Sequence, residues 1–492
     1  MTLVHRILYP TPIASLDEYL EARGGLGLER ARDLEADAII AEVLASGLRG
    51  RGGAGFPTGR KWRTVRDNCS SFERTSVVVN AAEGEPGTFK DRTILRNDPY
   101  QVIEGAVIAA LAVGADQIVI ATKQRFTVEV ARLRAAIAEV ERAGWLDGVG
   151  LDVYEGPAEY LYGEETALLE VLDGRYPFPR IAPPYRRGID EVVESPGDVG
   201  TQSGLSAHVE MAGPTADAEA PPTLVDNVET LANIPRIIGR GAAWFRTEGT
   251  AESPGTIVCT VTGSTRRHGV GEVIMGTPLR EVIDEIGGGP RDGRQICAVL
   301  PGVSNAFIDA TDLDTPVSYE HLAAIGSGLG SAGFIVLDDT DDLVGIAAGA
   351  VRFLAVESCG QCSPCKLDGV RIAELLDRAV RETAGAHDLD ELRTRVATVA
   401  DGARCSLATQ QQVIAGTLLE RNLPLVRAHV ERAAPPTVPT LIAELIGIDD
   451  GVARVDEHHA LKQPDWSFDA VDSGQSPAAR FGEHRERRVL EE

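Results

Sequence analysis

The sequence is short of positive charge. It carries 48 Lys and Arg residues against 74 Asp and Glu residues, which leaves a formal net charge of −26 at pH 7. A chain with this balance has no basic surface to neutralise phosphates, so nucleic acid is excluded as a partner. Of its 492 residues, 43% are hydrophobic and 25% are charged. This composition is that of a globular protein rather than a disordered one, and the length predicts roughly two to four domains.

Long apolar runs are also missing. The closest stretch, residues 102–122, is interrupted by Glu104 and Asp116, so we expect no direct membrane insertion. Residues 1–10 lack a charged region followed by an apolar one, which argues against a secretory signal. We therefore expect a cytoplasmic protein. In that compartment closely spaced cysteines bind metal or act in catalysis more often than they form disulfides.

Strand-like and helix-like segments alternate in the first half of the chain. Apolar runs predict buried strands at 76–80 and 117–122, and the spacing of apolar residues predicts helices at 99–113 and 128–143. A further helix is predicted at 223–238. Such alternation indicates an α/β layer built on a parallel sheet.

Composition divides the chain into four regions. Residues 1–240 form the α/β domain, with an acidic, Pro- and Gly-rich surface insertion at about 186–221. Residues 250–340 contain short strands and one helix, which predicts a compact α+β domain, and helical patterns dominate 341–433. Residues 434–492 are a weakly patterned C-terminal extension. We interpret this extension either as a tail that docks on a partner or as a terminus without fixed structure.

Four of the seven cysteines have a metal-ligand spacing. Cys359, Cys362 and Cys365 are separated by two residues each, and Cys405 follows after another 39 residues. Three thiolates on one tight turn with a distant fourth favour a [4Fe–4S] cluster. Zinc is the less favoured alternative because its cysteine ligands usually occur as two C-x2-C pairs, and free structural thiols are less favoured still. The isolated cysteines are interpreted as buried core residues: Cys69, Cys259 and Cys297.

A glycine-dense stretch occupies residues 47–62. Gly50, Gly52 and Gly55 match the pattern G-x-G-x-x-G, but a helix-like segment precedes it and Pro57 follows. It is therefore not the fingerprint of a standard dinucleotide-binding Rossmann half, which follows a strand. Backbone N–H groups exposed by glycine can still hold a phosphate or a flat ring, so we predict nucleotide or flavin binding. A tight structural turn is the alternative. Three cations of the stretch could pair with anions: Arg49, Arg51 and Lys61.

Two pairs of glutamates lie in loops that follow predicted strands. They are Glu83 with Glu85, and Glu164 with Glu165. In an open α/β sheet the carboxyl ends of the strands border the ligand crevice. These carboxylates could accept hydrogen bonds from ribose or ribityl hydroxyls. The alternative is that they are solvated loop acids.

Five motifs, in the same order, carry a resemblance to a known family. They are GRGGAGFPTGRKW (50–62), NAAEGEPGTFKDR (80–92), GEETALL (163–169), DNVETLAN (226–233) and ESCGQCSPCK (357–366). With them the chain resembles the NADH-binding flavoprotein subunit of NADH-quinone oxidoreductase (respiratory complex I). It also resembles the diaphorase subunits of soluble hydrogenases and formate dehydrogenases. The resemblance implies an α/β Rossmann-like FMN domain, a β-grasp domain (ubiquitin-like, SLBB-type) and a C-terminal helical bundle with an iron–sulfur cluster.

The resemblance also implies the site residues. NADH would stack on Phe56 and Tyr185, and Glu85 and Glu165 would act near the nicotinamide as the candidate catalytic residues. The cluster ligands would be the four cysteines already named. The FMN site would be formed by residues of several loops: Gly50, Arg51, Gly52, Gly53, Lys61, Asn80, Glu83, Tyr160, Gly163, Glu164, Asn227 and Thr230.

The function implied by the resemblance is electron input. NADH would be oxidised through FMN, and single electrons would pass to the [4Fe–4S] cluster. A thioredoxin-like [2Fe–2S] subunit and a larger iron–sulfur or catalytic subunit would accept them. Two alternatives stay open: a diaphorase subunit of a soluble formate dehydrogenase or hydrogenase, and a non-redox scaffold that kept the fold. Four departures from the family pattern leave the choice between NADH and NADPH open: Thr64, Ala82, Ala182 and Asp226.

Overall fold

The computed structural model describes residues 3–69, 74–180, 222–464 and 466. Tyr185, Ala182 and the insertion at 186–221 lie outside the described residues, as do residues 467–492 of the C-terminal extension. The chain divides into two compact units. The N-terminal unit comprises Arg6–Glu83 and Asp91–Glu248, and the C-terminal unit comprises Met1–His5, Gly84–Lys90 and Gly249–Glu492.

The N-terminal unit contains a four-stranded sheet in which every pairing is parallel. Its strands are β1 (Ser76–Ala81), β2 (Gln117–Lys123), β3 (Gly150–Gly156) and β4 (Thr223–Asn227). Their order is β3-β2-β1-β4, and Val78 of β1 is paired with Val119 on one side and Val225 on the other. The predicted α/β layer with a parallel sheet is confirmed.

Helices precede the sheet and connect its strands. They are α1 (Leu16–Glu21), α2 (Leu26–Arg32), α3 (Ala36–Ser46), α4 (Thr58–Asp67), α5 (Lys90–Asn97), α6 (Pro99–Val113), α7 (Thr127–Arg142), α8 (Glu165–Leu172), α9 (Val228–Arg240) and α10 (Ala242–Phe245). The helix expected at 99–113 is confirmed as α6. Asp98 caps it by accepting the N–H groups of Tyr100 and Gln101, and Gly114, at φ 72°, ends it in the left-handed region.

The helix predicted at 223–238 is wrong over its first five residues. Thr223–Asn227 form β4, and the register pairs Thr223 with Ser76 and Asn227 with Asn80. The buried strand β1 offers this short segment a complete row of backbone partners, and that tertiary context overrides its local pattern. Asn227 then caps α9 by accepting the N–H of Glu229.

The C-terminal unit contains a five-stranded mixed sheet. Its elements are β5 (Thr256–Gly263), β6 (Gly269–Ile274), α11 (Leu279–Gly287), β7 (Ile296–Pro301), β8 (Ile308–Asp309), α12 (Tyr319–Ala324) and β9 (Gly333–Asp338). The strand order is β6-β5-β9-β7-β8, and β9 is parallel to β5 and antiparallel to β7. Buried residues of β5, α11 and β9, among them Ile257, Val282 and Phe334, share one apolar core.

Helices dominate the remainder of this unit. They are α13 (Leu343–Val356), α14 (Ser363–Val380), α15 (Ala386–Thr398), α16 (Leu407–Arg421) and α17 (Leu423–Val430). A hairpin of β10 (Leu445–Asp449) and β11 (Val452–Val455) follows. The chain returns to α13 before this hairpin, since the N–H of Thr440 donates to the carbonyl oxygen of Gly345. No helix within the described ranges is long and apolar enough to cross a membrane.

Candidate functional site

The glycine loop of the N-terminal unit connects α3 to α4. An antiparallel bridge joins Arg49 to Pro57, and the N–H of Gly50 donates to the carbonyl oxygen of Phe56 over 2.8 Å, which closes the turn. The prediction that a helix, not a strand, precedes this loop is therefore confirmed. Within the turn Gly53 has φ 129° and Gly55 has φ 63°. Side chains rarely adopt these conformations, which explains the glycines.

The loop is held against the beginning of α9. The N–H of Arg51 donates to Thr230 Oγ1 over 2.8 Å, and a Cβ atom at Gly52 would lie 3.2 Å from Asn227 Cβ. The N–H groups of Gly52 and Gly53 have no acceptor among the described residues. Successive exposed N–H groups form a concavity that binds anions. The loop therefore fits the phosphate of a nucleotide.

Lys61 lies in the first turn of α4 and reaches the end of β4. Its Nζ donates to the carbonyl oxygen of Val225 over 2.6 Å and lies 2.5 Å from Glu165 Oε1. Burial works against the charge of Lys61, but the carboxylates of Glu165 and Asp226 outweigh this effect and raise its pKa. The cation therefore links α4, β4 and the beginning of α8.

Asp226 is one of the four departures from the pattern of the family that the chain resembles, and it is buried beside this cation. Trp62 Nε1 donates to Asp226 Oδ2 over 2.7 Å. Burial raises the pKa of Asp226 to about 6, against the opposing effect of Lys61. This departure from the family pattern therefore adds a carboxyl group that titrates between pH 4 and 7.

We predict that replacing Asp226 with Asn changes how stability depends on pH. A carboxyl group whose pKa is higher in the folded state than its ordinary 3.8 binds protons more tightly when folded. Its contribution to stability is present below pH 4 and is lost as the pH rises through 6. Relative to Asp226→Asn, the unmodified chain should lose about 3 kcal/mol of unfolding free energy between pH 4 and pH 7.

Urea unfolding of both chains at pH 4, 5, 6 and 7 measures this difference. Asp37→Asn is the control because the Asp37 side chain is 74% exposed and pairs with Arg63 at the surface. A stability difference between the chain and Asp226→Asn that stays constant with pH would contradict the prediction.

The loop after β1 and the loop before α8 meet through Asn80. Its Nδ2 donates to the carbonyl oxygen of Gly163 over 2.9 Å, and its Oδ1 accepts the N–H of Ala82. A Cβ atom at Gly163 would lie only 3.2 Å from the carbonyl oxygen of Ala82. Tyr160 begins the short 3-10 helix that ends at Gly163. Both loops are thus fixed at the carboxyl end of the sheet.

Glu83 and Glu164 also form hydrogen bonds or ion pairs within the N-terminal unit. Glu83 is buried, pairs with Arg92 over 2.9 Å and accepts the N–H of Asp91. Glu164 caps α8 by accepting the N–H of Ala167 over 2.8 Å, and burial raises its pKa. The alternative that these residues are solvated loop acids is therefore wrong for Glu83.

Of the residues predicted to contact NADH, Glu85, Glu165 and Phe56 lie within the described part of the chain. Glu85 belongs to the C-terminal unit, where its Oε1 accepts the N–H of Val303 over 2.7 Å, whereas Glu165 belongs to the N-terminal unit. Phe56 is 51% exposed, and the guanidinium carbon of Arg60 lies 6.0 Å from its ring centroid. An exposed aromatic ring on a glycine loop is suited to stacking.

The structure adds Asp91 and Arg92 to the site, which the sequence pattern alone did not single out. Asn227 Nδ2 donates to Asp91 Oδ2 over 2.6 Å, so Asp91 orients the amide that also contacts Gly52. Arg92 holds Glu83 in place. Both residues lie within the 80–92 motif, and that motif was the signal available for them.

Three of the four candidate cluster ligands lie at the N-terminal ends of two helices, and Cys359 lies in the loop between α13 and α14. Cys362 precedes α14 as its N-cap, Cys365 lies in the first turn of that helix, and Cys405 lies two residues before α16. The N–H of Arg404 donates to Cys362 Sγ over 3.4 Å, which brings the two helix ends together. Because helix N-termini carry partial positive charge, this arrangement favours negatively charged ligands.

Of these thiols Cys365 is buried, and the other three are half-buried. Burial raises the pKa of Cys359, and it raises the pKa of Cys365 to about 11. Gln361 Nε2 donates to Cys359 Sγ over 3.4 Å. In the part of the chain that the structure describes, no three His, Cys, Asp or Glu side chains are arranged to hold a single metal ion. Three thiols at two adjoining helix N-termini and a fourth in the preceding loop fit the ligand set of a [4Fe–4S] cluster.

The interpretation of the isolated cysteines as core residues is confirmed for Cys259, which is fully buried among the apolar residues of the five-stranded unit. It is wrong in detail for the other two, which are half-buried. Cys69 Sγ lies 3.2 Å from the carbonyl oxygen of Val113, and Cys297 Sγ lies 3.1 Å from that of Asp338. These thiols donate hydrogen bonds rather than filling apolar space.

Two family models match the chain over the regions just described. Residues 43–236 match the Nuo51 FMN-binding domain, and residues 345–429 match the NADH-ubiquinone oxidoreductase-F iron–sulfur binding region. The chain is 36% identical to the NADH-quinone oxidoreductase F-subunit 2 of Rhizobium meliloti over 431 residues, which is 85% of this chain and 94% of the relative. The chain belongs to the NADH-quinone oxidoreductase-F family.

Other members of this wider group are hydrogenase components. The chain is 37% identical to the NADP-reducing hydrogenase subunit HndC of Solidesulfovibrio fructosivorans, over 80% of this chain and 76% of that one. Among solved structures, it is similar to an NAD⁺-reducing [NiFe]-hydrogenase in the H2-reduced state, with a TM-score of 0.71 and 30% identity. That match covers 87% of this chain and 68% of the hydrogenase chain.

These matches confirm the resemblance to the NADH-binding flavoprotein subunit that the five sequence motifs carry. The expected cofactors are also confirmed, since the two matching family models describe an FMN-binding domain and a [4Fe–4S]-binding region. The glycine loop, Asn80 and Lys61 fall within the first matched region, and the four cysteines fall within the second. The chain is thus an oxidoreductase flavoprotein, as the motifs implied.

Proposed function

We propose that this chain takes electrons from NADH in its N-terminal unit and passes them, through its cluster region, to partner subunits. The observation that carries the proposal is the meeting of the glycine loop, the Asn80–Gly163 contact and the Lys61–Glu165 pair at the carboxyl end of one parallel sheet. Bound FMN would supply two-electron acceptance from a nicotinamide and one-electron release, which no amino-acid side chain offers.

The glycine loop holds the phosphate end of the flavin nucleotide in this proposal. The exposed N–H groups of Gly52 and Gly53 bind the anion, and Thr230 and Asn227 keep the loop in position through Arg51 and Gly52. The loops around the sheet then enclose the rest of the nucleotide. Their candidate contacts are Gly50, Lys61, Asn80, Glu83, Tyr160, Gly163 and Glu164.

The nicotinamide side relies on stacking and on one paired carboxylate. The exposed ring of Phe56 offers a flat surface for the dinucleotide, and Tyr185 is proposed as a second one. Lys61 fixes the carboxylate of Glu165, which would favour the positive charge of an oxidised nicotinamide. For Glu85 the same role rests on the resemblance in sequence.

The strand order β6-β5-β9-β7-β8 supports assigning residues 250–340 to a β-grasp domain of the SLBB type. A hairpin, a helix and a final strand inserted between the first and third strands are what a ubiquitin-like chain contains. We place the protein in the cytoplasm, on the cytoplasmic side of a membrane-bound complex where it is part of one. A thioredoxin-like [2Fe–2S] subunit and a larger iron–sulfur or catalytic subunit are the proposed partners.

A second candidate function is a diaphorase subunit of a soluble hydrogenase or formate dehydrogenase. The similarity to the hydrogenase subunit HndC and to an NAD⁺-reducing [NiFe]-hydrogenase favours it. Its chemistry within this chain is the same, so the subunits that copurify distinguish the two functions. Recovery of hydrogenase or formate dehydrogenase subunits would favour this second candidate over the respiratory complex.

The basic experiment measures cofactors and activity together. The purified chain should release about one FMN on denaturation, contain about four irons and reduce ferricyanide with NADH. The same assay with NADPH tests the nucleotide preference. Zinc without iron or flavin would contradict the proposal and favour a non-redox scaffold. Cofactors with no activity towards either nucleotide would refute the assigned donor.

We predict that Glu165→Gln weakens product inhibition by NAD⁺. Loss of a carboxylate that favours the nicotinamide cation removes about 1 kcal/mol, so the inhibition constant for NAD⁺ should rise about fivefold while the KM for NADH changes less. Steady-state ferricyanide reduction at several NAD⁺ concentrations measures both constants. Asp152→Asn, an exposed change on β3, is the matched control. Equal changes in both constants would show that Glu165 does not distinguish the two redox forms.

A further inference from the structure

The C-terminal segment after β11 packs on the helix that leads to the cluster cysteines. Arg352 of α13 donates hydrogen bonds to the carbonyl oxygens of His459 over 3.1 Å, Ala460 over 2.9 Å and Lys462 over 3.0 Å. The buried imidazole of His459 stacks on Phe353, with ring centroids 4.8 Å apart. Residues 459–462 of this segment lie beyond 345–429, the region that matches the family's iron–sulfur model.

This segment supplies hydrogen-bond partners of a buried carboxylate. Glu357 lies two residues before Cys359, and its Oε1 accepts Lys462 Nζ over 2.7 Å and His459 Nε2 over 3.0 Å. Glu357 is buried, and both contacts reach it from about one hundred residues further along the chain. The ion pair with Lys462 therefore offsets a carboxylate that solvent barely reaches.

The same segment covers the cysteine loop with an indole ring. Trp466 lies against Gly360, where a Cβ atom would be 2.5 Å from Trp466 Cδ1, and Lys366 Nζ lies 4.6 Å from the indole centroid. Gly360 has φ 75° and directly follows Cys359. The Nε1–H group of Trp466 is buried and has no acceptor within the described ranges. A buried donor beside the ligand loop fits a sulfur acceptor there.

We propose that residues 457–464 and Trp466 are a positioning element for the iron–sulfur cluster. Lys462 offsets the charge of Glu357 and Trp466 closes the loop after Cys359, so that these residues raise the cluster's reduction potential. The inference rests on the proposed function, because it concerns the charges and hydrogen-bond donors around the cluster that transfers the electrons.

The physical argument is electrostatic. One-electron reduction of a [4Fe–4S]²⁺ centre to the 1+ state adds a negative charge, which a nearby uncompensated carboxylate opposes and a nearby cation favours. Lys462 neutralises that carboxylate in a buried place, where solvent screens little. An N–H donor directed at a cluster or cysteine sulfur also favours the reduced state, because hydrogen bonds to sulfur raise the potential.

The experiment uses the full-length chain and EPR-monitored redox titration with dithionite and mediators. Lys462→Gln should shift the midpoint potential of the cluster to a more negative value. Lys462→Arg keeps the positive charge, so its midpoint potential should stay close to that of the unmodified chain. Trp466→Phe keeps the aromatic cover but removes the N–H group, and it should also shift the potential negatively. The matched control is Arg454→Gln, which removes a nearby cation of the preceding hairpin whose partner, Asp449, is at the surface.

The double variant Glu357→Gln/Lys462→Gln completes the test, because it removes both charges and should lie closer to the unmodified chain than Lys462→Gln does. If Lys462→Gln alone loses its iron, retention of iron by the double variant and by Lys462→Arg still supports the proposal. Unchanged potentials in Lys462→Gln and Trp466→Phe would overturn it, as would loss of iron from the double variant as well. A four-iron EPR signal in the unmodified chain separates these outcomes from failure of the proposed function, in which that signal would be missing.

Discussion

Cys405→Ala should remove the cluster from the protein and leave its flavin in place. Cys405 is the distant fourth ligand of the spacing, and it reaches the other three through the Arg404–Cys362 contact at the ends of α14 and α16. Without Cys405 only three of the four predicted thiolates remain, so we expect the iron content to fall from about four per chain to below about one. The FMN content should stay near one, because the glycine loop is held by residues of the N-terminal unit.

Iron analysis, flavin fluorescence after denaturation and EPR of the reduced protein measure this outcome. Cys297→Ala is the matched control, since it removes a half-buried thiol from the same unit outside the predicted ligand set. Full iron content in Cys405→Ala would contradict the assignment of the ligand. Loss of iron and flavin together would mean that the cluster supports the folding of the whole chain rather than of its own unit.

Lys61→Met should destabilise the N-terminal unit and abolish retention of the flavin. The substitution leaves the carboxylates of Glu165 and Asp226 without the cation that lies between them and removes a donor to Val225. Lys61 and Glu165 are half-buried, so breaking their pair should cost less than the about 3–5 kcal/mol that is typical of a fully buried pair, although Asp226 beside them is buried. A loss of about 2 kcal/mol is still a large fraction of the stability of a domain, so weaker folding and loss of FMN should occur together.

Urea unfolding and the FMN content after gel filtration test this effect. Arg63→Gln on the same helix is the control, because Arg63 pairs with Asp37 at the surface and such pairs contribute less than about 1 kcal/mol. Lys61→Met/Asp226→Asn should recover part of the lost stability, since it removes one of the two uncompensated acids. If Lys61→Met unfolds like the control, the ion pair is not a structural element of the site.

The sequence pattern was sufficient where a single local rule decided the structure. The apolar run at 76–80 predicted β1, Asp98 and Gly114 mark the two ends of α6, and the glycines mark a loop between helices. The spacing of the cysteines likewise indicated a [4Fe–4S] cluster without any knowledge of the fold. In each case the deciding residues lie within a few positions of one another, so their spacing carries the information.

Such local rules could not predict contacts between segments that are distant in the sequence. The strand character of β4 comes from pairing with β1, about 150 residues earlier, and its five residues could not reveal this alone. The pairing of Lys462 and His459 with Glu357 has the same origin, since nothing in the local sequence indicates which carboxylate they compensate. The role of Asp91 in orienting Asn227 also depends on packing.

The position of β4 affects how far the connection that precedes it can vary in length. In the described sheet β4 pairs only with β1 and is therefore an edge strand, and in the sequence it follows the long connection from Leu172 of α8 to Thr223. Loop-closure entropy grows only with the logarithm of length, so doubling such a connection costs about 0.6 kcal/mol. The sheet can therefore keep its register while this connection gains or loses tens of residues. New recognition surfaces could be added here without rebuilding the site at the strand ends.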